Sequence, residues 1–163
     1  MPSKDTFTIK PIKLLLNRYV LNGCGWIDPF AGDNSPAEIT NDLNQDKPTK
    51  YHLHAKEFVN ILDGMYDGVL FDPPYSLTQV KECYNNIGAE LFSEDYKYFF
   101  GNIKTIIAPK LNLGAYAITF GWNSTGFGKK RGFVPIELLL VNHGRSHNDT
   151  IVLVERKIRE TLF

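Results

Sequence analysis

The chain has 163 residues, a length typical of one domain that buries its own hydrophobic core. Lysine and arginine together number 18, and aspartate and glutamate also number 18, so the formal net charge is zero. This balance argues against a histone-like or polybasic nucleic-acid binder, which carries a large positive excess, although it leaves room for a local basic patch. The two cysteines form no Cys-x-x-Cys pair, which disfavours both a disulfide scaffold and a cysteine zinc site.

No targeting or dividing segment stands out along the chain. No apolar run approaches the roughly 20 residues that a membrane-spanning helix needs, and residues 1–10 lack the apolar core of a secretory signal. We therefore expect a cytoplasmic protein with no membrane contact, built as a single domain over residues 1–163, with residues 1–6 as a loose tail. The four histidines fall in two short pairs, so we expect no metal site.

The predicted elements alternate between helices and strands. A first helix is predicted over Pro11–Leu21, because proline suits a first helical turn, apolar residues recur at helical spacing and Gly23 ends the pattern. Further on, strands are predicted at Gly25–Asp28, Glu38–Asn41, Tyr51–His54, Gly68–Phe71 and Ala115–Phe120, and helices at Ala55–Leu62, Leu77–Leu91 and Glu94–Ile107. This alternation indicates an α/β fold with a mostly parallel sheet flanked by helices.

The last two predicted strands break this rhythm. Ile136–Val141 and Thr150–Val154 are separated only by residues 142–149, which is too short for a parallel crossover. We therefore expect the sheet to finish in a C-terminal antiparallel hairpin.

The sharpest motif is Asp72-Pro73-Pro74-Tyr75, which directly follows a predicted strand. In open α/β sheets, ligands bind beyond the carboxyl ends of the strands. The two prolines stiffen the loop and remove two N–H donors while leaving carbonyl acceptors. A carboxylate, a carbonyl and an aromatic ring in one stiff loop suit an amino group on a planar base. The alternative is an Asp-Pro turn followed by a tyrosine that only packs.

This tetrapeptide resembles the amino-methyltransferase motif of S-adenosylmethionine-dependent enzymes that methylate exocyclic amines of DNA bases. Upstream, Trp26–Gly32 resembles the family's cofactor loop after the first strand, and Ile39–Asp42 resembles the acidic end of its second strand. The resemblance covers nearly the whole chain and is closest to the small phage-encoded adenine methyltransferases, down to residues 121–124 and 147–150. It implies a Rossmann-like class I methyltransferase sheet without a separate target-recognition domain.

The resemblance also implies S-adenosylmethionine as the cofactor. Asp42 would hold the ribose hydroxyls, Asp28 would serve the methionine amine, and Phe30 and Phe71 would supply apolar walls. The full set of implied cofactor-binding residues is Lys10, Pro11, Asp28, Pro29, Phe30, Ala31, Gly32, Asn41, Asp42, His54, Ala55, Phe71 and Asp72. Residues 28–46 hold five acids and no lysine or arginine, which a solvated acidic face would explain equally well.

The chain departs from the family pattern around this loop. Asp33 and Asn34 replace the usual second glycine after Gly32, and only residues 33–37 precede the next predicted strand. That link must be cramped, or the strand must be a stub. His54 and Ala55 stand where the family often places an acid against adenine.

The implied reaction is methyl transfer to the N6 amine of adenine in DNA, with the base flipped out of the duplex. Asp72, Pro73, Pro74 and Tyr75 would be catalytic, the Asp72 carboxylate and the Pro73 carbonyl accepting hydrogen bonds from the amine and Tyr75 stacking on the base. Contacts to DNA are expected from Ser76, Trp122, Asn123, Lys129, Lys130 and Arg131. The last three form a glycine-flanked basic segment, expected to be mobile and on the same rim as Asp72. A solubilising loop, and a core position for Trp122, are the alternatives.

Other functions stay open at this point. Within the same chemistry, the acceptor could be N4 of cytosine, adenine in RNA, or a protein glutamine, although enzymes for glutamine more often carry asparagine at the first motif position. A different class is a cofactor-binding module that is not catalytic, or that acts only with a partner subunit or as a homodimer. The neutral charge and the missing recognition domain motivate that second class.

Overall fold

The computed structural model describes residues 5–75, 78, 81, 99–144 and 148–161. Among these residues the strands are β1 (Trp26–Asp28), β2 (Ile39–Thr40), β3 (Tyr66–Phe71), β4 (Leu111–Gly121), β5 (Phe133–Val141) and β6 (Thr150–Lys157). The α-helices are α1 (Lys10–Tyr19), α2 (Ala55–Ile61) and α3 (Phe99–Ile107), and short 3-10 helices lie at Thr6–Thr8, Ala108–Lys110 and Lys129–Arg131.

The strands form a mixed sheet in the order β2-β1-β3-β4-β6-β5. The first four strands of this order are parallel, β6 runs antiparallel to β4, and β5 runs antiparallel to β6. The fold class predicted from the sequence is therefore confirmed, including the antiparallel hairpin at the end of the chain.

Each face of the sheet is covered by its own hydrophobic cluster. On one face α1 buries Ile12, Leu15 and Leu16, the three positions that helical spacing brings onto one side, against strand residues such as Leu70 and Ile118. On the other face α2 and α3 pack over Val69, Phe71 and Ala117, and the largest buried side chains there include Phe58, Ile103, Ile107 and Phe127. The parallel strands are thus buried on both sides, so their ligand-accessible edge is the end where they stop.

The centre of the sheet depends on a close approach between β1 and β3. Gly68 lies opposite Trp26 in the register, and a Cβ at this position would sit 2.5 Å from the indole ring. Only glycine at this position leaves room for the Trp26 ring against β3.

Near the first strands the structure corrects one expectation and confirms another. Tyr51–His54 is not a strand: only Tyr51 pairs, through a single parallel bridge to Asn41, because residue 54 already caps α2. β2 has only two residues, which confirms the stub that the short link after Gly32 required.

The tail also differs from its prediction. Thr6, expected in a loose segment, is buried in a 3-10 helix that leads into α1. Phe7 explains this order, since its ring packs edge-on against Phe120 with centroids 5.4 Å apart. The predicted helix over Leu77–Leu91 and the first residues of the one over Glu94–Ile107 lie outside the described residues, whereas Phe99–Ile107 is helical as expected.

Candidate functional site

Three acidic side chains gather where the parallel strands end. Asp28 is the last residue of β1, Asp42 follows β2 after one residue, and Asp72 directly follows β3. The register pairs Asp28 with Thr40 and Ile27 with Val69, so the three strands stop at one level. Asp28 is close enough to both other carboxyls for their charges to raise its pKa. We call this edge of the sheet the acidic rim.

Asp28 is fully buried at the base of the acidic rim. Its Oδ1 accepts a hydrogen bond from the Phe30 backbone N–H at 2.9 Å, and its Oδ2 accepts one from the Ser35 hydroxyl at 2.6 Å. Burial raises the pKa of Asp28 to about 7, while these two hydrogen bonds oppose the shift and the charges of Asp72 and Asp42 add to it. Near neutral pH this carboxyl is therefore populated in both its neutral and its charged form.

The loop after β1 is held against Asp42. The Gly32 N–H donates to Asp42 Oδ2 at 3.1 Å, and the other oxygen, Oδ1, accepts from the Asn44 N–H at 2.9 Å. Gly32 has a φ of 58°, and a Cβ there would meet no atom within 4 Å. The backbone at Gly32 thus borders open space, with one face of the Asp42 carboxylate beside it.

Asn41 has a supporting role in this loop arrangement. Its side chain is completely buried, donates to the carbonyls of Pro29 and Leu53 at 3.1 and 3.0 Å, and accepts from the Leu53 N–H at 2.9 Å. These bonds use both amide hydrogens, so the Asn41 side chain ties the loop after β1 to the segment before α2. Its contact with the cofactor stays a prediction.

Four other residues predicted to bind the cofactor lie at the beginnings of two helices. His54 caps α2 in a capping box with Glu57, and the buried Ala55 is the first residue of that helix. Lys10 and Pro11, both exposed, open α1 two residues after the 3-10 helix that carries Thr6. The sequence-based positions of these helix starts are therefore correct.

The aromatic wall predicted at Phe30 and Phe71 is present and larger than expected. The two rings meet edge to face with centroids 5.3 Å apart, and Phe100 joins them at 6.1 Å from Phe30. Ala31 is buried beneath this loop. Thr119, whose strand position pairs with Phe71, carries a buried hydroxyl without a hydrogen-bond partner among the described residues. An apolar wall with one unpaired hydroxyl beside it suits a planar heterocycle.

Asp72 lies in an environment that keeps its carboxyl away from water. The residue is 5% exposed, and its Oδ1 accepts a hydrogen bond from the Tyr75 hydroxyl at 2.8 Å. Burial raises the pKa of Asp72 to about 7, against the opposing hydrogen bonds from Tyr75 and Thr6. Pro73 is buried and Pro74 half-buried, so the motif forms a fixed loop rather than a solvated turn.

Tyr75 and Trp122 form the outer part of the site. Their rings pack edge to face with centroids 5.6 Å apart, and Trp122 remains 42% exposed. The core alternative for Trp122 is therefore wrong. Asn123 is exposed next to it and uses its side-chain oxygen to accept from the Thr125 N–H at 2.9 Å. Ser76, the remaining predicted contact after the motif, lies outside the described residues.

Two buried charged residues that the sequence did not single out hold the segment after Trp122. Lys104 Nζ donates to the carbonyl of Thr125 at 2.8 Å, and Glu155 accepts from the N–H groups of Phe127 and Gly128 at 2.5 and 2.9 Å. Burial lowers the pKa of Lys104 to about 8. Both lie at positions of apolar periodicity, on α3 and β6, which is why sequence patterns alone gave no signal for them.

The basic segment is not where the sequence placed it. β5 runs toward the acidic rim, so the residues before it enter at the far end: Phe133 pairs with Lys157, whereas Val141 pairs with Thr150. Lys129, Lys130 and Arg131 therefore lie level with the amino-terminal part of β4, away from Asp72.

The basic segment is also ordered rather than mobile. Lys129–Arg131 is a turn of 3-10 helix, and Arg131 donates to the carbonyls of Phe127 and Gly101 and to the Thr105 hydroxyl. Because its guanidinium is occupied in this way, Arg131 fastens the segment to α3. Lys129 and Lys130 remain exposed.

Comparisons with known proteins place the fold. No family model matches the chain, and no curated protein matches its sequence. TrmN from Thermus thermophilus superposes with a TM-score of 0.59 at 15% identity over 90% of this chain, which spans 48% of that protein. A Burkholderia thailandensis 1,6-didemethyltoxoflavin-N1-methyltransferase, solved with S-adenosylhomocysteine, gives 0.62 at 13% identity over 96% of this chain and 82% of its own.

A third solved structure is the N-methyltransferase NodS from Bradyrhizobium japonicum WM9 with S-adenosylhomocysteine. It gives a TM-score of 0.57 at 8% identity, covering 94% of this chain and 88% of that one. The chain therefore has the fold of the Rossmann-like methyltransferases. Among the described residues, no helix has the length and apolar character to cross a membrane, and no three histidine, cysteine or acidic side chains converge on a potential metal site.

Burial of the Asp28 carboxyl is expected to lower the stability of the free protein once that carboxyl is ionised. Asp28→Asn keeps the shape and the bond from the Phe30 N–H, and its Nδ2 donates to Ser35 Oγ where the carboxyl accepts from it, but it has no charge to bury. Because the folded-state pKa of Asp28 is raised to about 7, the natural chain loses stability as pH rises from about 4 to 7. The variant should escape this loss and gain roughly 2–4 kcal/mol in unfolding free energy at pH 8, at about 1.4 kcal/mol per pKa unit.

Urea unfolding of both proteins at pH 4 and pH 8 measures this difference. Asp46→Asn, at an exposed acid of the same acidic stretch, is the control and should change neither value. Equal unfolding free energies of Asp28→Asn and the natural chain at pH 8 would show that burying the ionised Asp28 carboxylate does not destabilise the protein.

Proposed function

We propose that this chain transfers the methyl group of S-adenosylmethionine to the exocyclic N6 amine of adenine in DNA, acting on a base flipped out of the duplex. The observation that carries the proposal is the buried Asp72 carboxyl on the rigid Asp-Pro-Pro-Tyr loop, at the end of a parallel strand and beside the cofactor loop. The shared fold of N-methyltransferases supports the reaction type.

The residues of the rim fit S-adenosylmethionine. When bound, the cofactor supplies an electrophilic methyl group on a positively charged sulfur. The open space at Gly32 admits a ligand to the backbone, and the Asp42 oxygens each retain a lone pair for ribose hydroxyls. The Phe30–Phe71 wall suits the adenine ring, and Asp28 offers a negative charge to the methionine amine.

Asp72 and Pro73 would activate the amine. The lone pair of an exocyclic amine is delocalised into the ring, so the amine is a poor nucleophile. Hydrogen bonds from its two N–H groups to the Asp72 carboxylate and the Pro73 carbonyl favour a tetrahedral nitrogen whose lone pair is free. Because both acceptors are fixed by prolines before the substrate arrives, positioning and electrostatics provide the acceleration. Tyr75 and the exposed Trp122 offer aromatic faces to the base.

The direct test is methyl transfer from labelled S-adenosylmethionine to single-stranded DNA, duplex DNA and RNA, followed by digestion to nucleosides. The proposal predicts label in N6-methyldeoxyadenosine. Label in N4-methylcytosine, in RNA adenine or in a protein glutamine would redirect the acceptor while keeping the chemistry. Cofactor binding without transfer to any acceptor, alone or with partner proteins, would favour the non-catalytic subunit instead.

Asp72→Asn tests the catalytic carboxylate. The amide fills the same space but cannot accept the second amine hydrogen as strongly, so kcat should fall by roughly 10²- to 10⁴-fold, the usual worth of such groups. Calorimetric affinity for S-adenosylmethionine should change only a few-fold. In the natural chain, kcat/KM should rise with pH through the Asp72 pKa of about 7, since the protonated acid donates where an acceptor is required. Undiminished turnover in Asp72→Asn would reject this role.

Lys129 and Lys130 are proposed as phosphate contacts for a strand that passes down the side of the molecule from the rim. Changing both to glutamine should weaken DNA binding and lower the log–log salt slope by about 0.7–0.9 for each lost contact. Lys56→Gln, at an exposed lysine of α2, is the control. Fluorescence anisotropy across a salt series measures both quantities. An unchanged slope would place the DNA contacts elsewhere on the molecule.

A further inference from the structure

The proposed reaction creates a proton in a place that water does not reach. An amine that accepts a methyl group must lose one N–H proton, and the nearest base is the Asp72 carboxylate. Asp72 is 5% exposed before any substrate is present. A base stacked against Tyr75 and Trp122 would cover what remains. The proton therefore needs a route through the protein.

A line of hydroxyl groups leads away from Asp72 toward the surface. The Tyr75 hydroxyl is 2.8 Å from Asp72 Oδ1. Thr150 hydrogen-bonds to Tyr75 and lowers its pKa, against burial and the Asp72 charge, which raise it. His143 Nε2 in turn lies 2.8 Å from Thr150 Oγ1. Four side chains are thus joined by three consecutive hydrogen bonds.

The topology of the sheet brings these residues together. Tyr75 lies on the loop after β3, whereas Thr150 opens β6 and His143 lies just beyond β5. The pairing of Val141 with Thr150 puts the end of β5 and the start of β6 at the carboxyl end of the parallel strands, where the acidic rim lies. Thr150 is buried and His143 is only half-buried, so the line runs from the interior to the solvent.

We propose that His143, acting through Thr150 and Tyr75, is the exit for the proton released by methyl transfer. The inference rests on the function proposed above. It assigns a catalytic part to the hairpin turn, which neither the Asp-Pro-Pro-Tyr motif nor the cofactor loop includes.

The amine nitrogen forms a bond to the methyl carbon while the carbon–sulfur bond breaks and sulfur keeps its electron pair. The nitrogen, now with four bonds, gives one proton to the Asp72 carboxylate. In the structure the Tyr75 hydroxyl donates to Asp72, and Thr150 hydrogen-bonds to Tyr75. Once Asp72 is protonated, both hydroxyls turn, so that Asp72 donates to Tyr75, Tyr75 to Thr150 and Thr150 to an unprotonated His143 Nε2. One proton then moves along each of these hydrogen bonds, and His143 releases a proton from Nδ1 to water. Each hydroxyl again carries one proton, and exchange with solvent restores the starting tautomer of His143.

The groups around this line suit the transfer. Among the described residues, Tyr75 and Thr6 are the side chains that hydrogen-bond to Asp72. The charge of Asp72 also raises the pKa of Asp28. Beside His143, the Asp149 carboxylate accepts from the His143 backbone N–H at 3.4 Å. Imidazole takes up and releases protons near neutral pH, as the last station of such a route must.

Thr150→Val against Thr150→Ser is the sharpest test, because valine keeps the volume and removes the hydroxyl while serine keeps the hydroxyl. In steady-state methyl transfer, valine should lower kcat at least tenfold, because Asp72 must lose its proton before it can accept the next amine. KM for DNA and for S-adenosylmethionine should stay unchanged, and serine should react at close to the natural rate. His143→Ala should be slowed similarly and partly restored by added imidazole.

A second readout needs no activity. Carbon-13 NMR of the Asp72 carboxyl, in the protein alone, should show a higher pKa in Thr150→Val than in Thr150→Ser, since Tyr75 donates more weakly once Thr150 stops polarising it. Equal kcat values and equal Asp72 pKa values in the two variants would overturn the route while leaving the proposed function intact. A natural chain that methylates no nucleic acid would instead overturn the proposed function, and the route with it.

Discussion

The structure depends on carboxyl groups that are buried at the ends of parallel strands. Asp28 and Asp72 lie on neighbouring strands, both shielded from water, and burial raises the pKa of each to about 7. Burying such groups opposes folding once they ionise, so the fold keeps them at a cost to its own stability. A cation that occupies the rim reverses that cost, because it favours the ionised forms of both acids. The same burial that weakens the free protein therefore strengthens its attraction for a positively charged ligand.

The surrounding segments keep these acids in place through polar contacts made inside the molecule. Asn41 connects the loop after β1 to the segment before α2 by hydrogen bonds, and the Gly32 N–H donates to Asp42. In the segment that follows Trp122, Lys104 donates to a backbone carbonyl and Glu155 accepts from backbone N–H groups. Buried charged groups with their hydrogen bonds satisfied fix one geometry, since breaking any bond leaves a charge unpaired in the interior. The aromatic part of the site is thus as firmly positioned as the acidic part.

The sequence allowed much of this to be predicted, and the reasons for the exceptions are physical. Apolar runs that end in Asp28 and Asp72 located both strands and the rim, because strand periodicity and the proline loop are local properties. The basic segment was misplaced because its position depends on the direction of β5, a property of the whole sheet. Tyr51–His54 has strand composition, but the cap of α2 ends its pairing after one bridge. The burial of Thr6, Lys104 and Glu155 arises from tertiary contacts that no local pattern records.

Proton release on cofactor binding tests the central claim, that buried acids near their pKa form a site for a cation. S-adenosylmethionine carries a positive sulfur and a positive amine, so its binding at pH 7 should expel protons from Asp28 and Asp72. Isothermal titration calorimetry at pH 7 in two buffers of different ionisation enthalpy measures that number directly. A net release is expected at pH 7, and none at pH 9, where both acids are already ionised and the amine of the free cofactor has itself lost most of its proton. Binding at pH 7 without any proton release would contradict it.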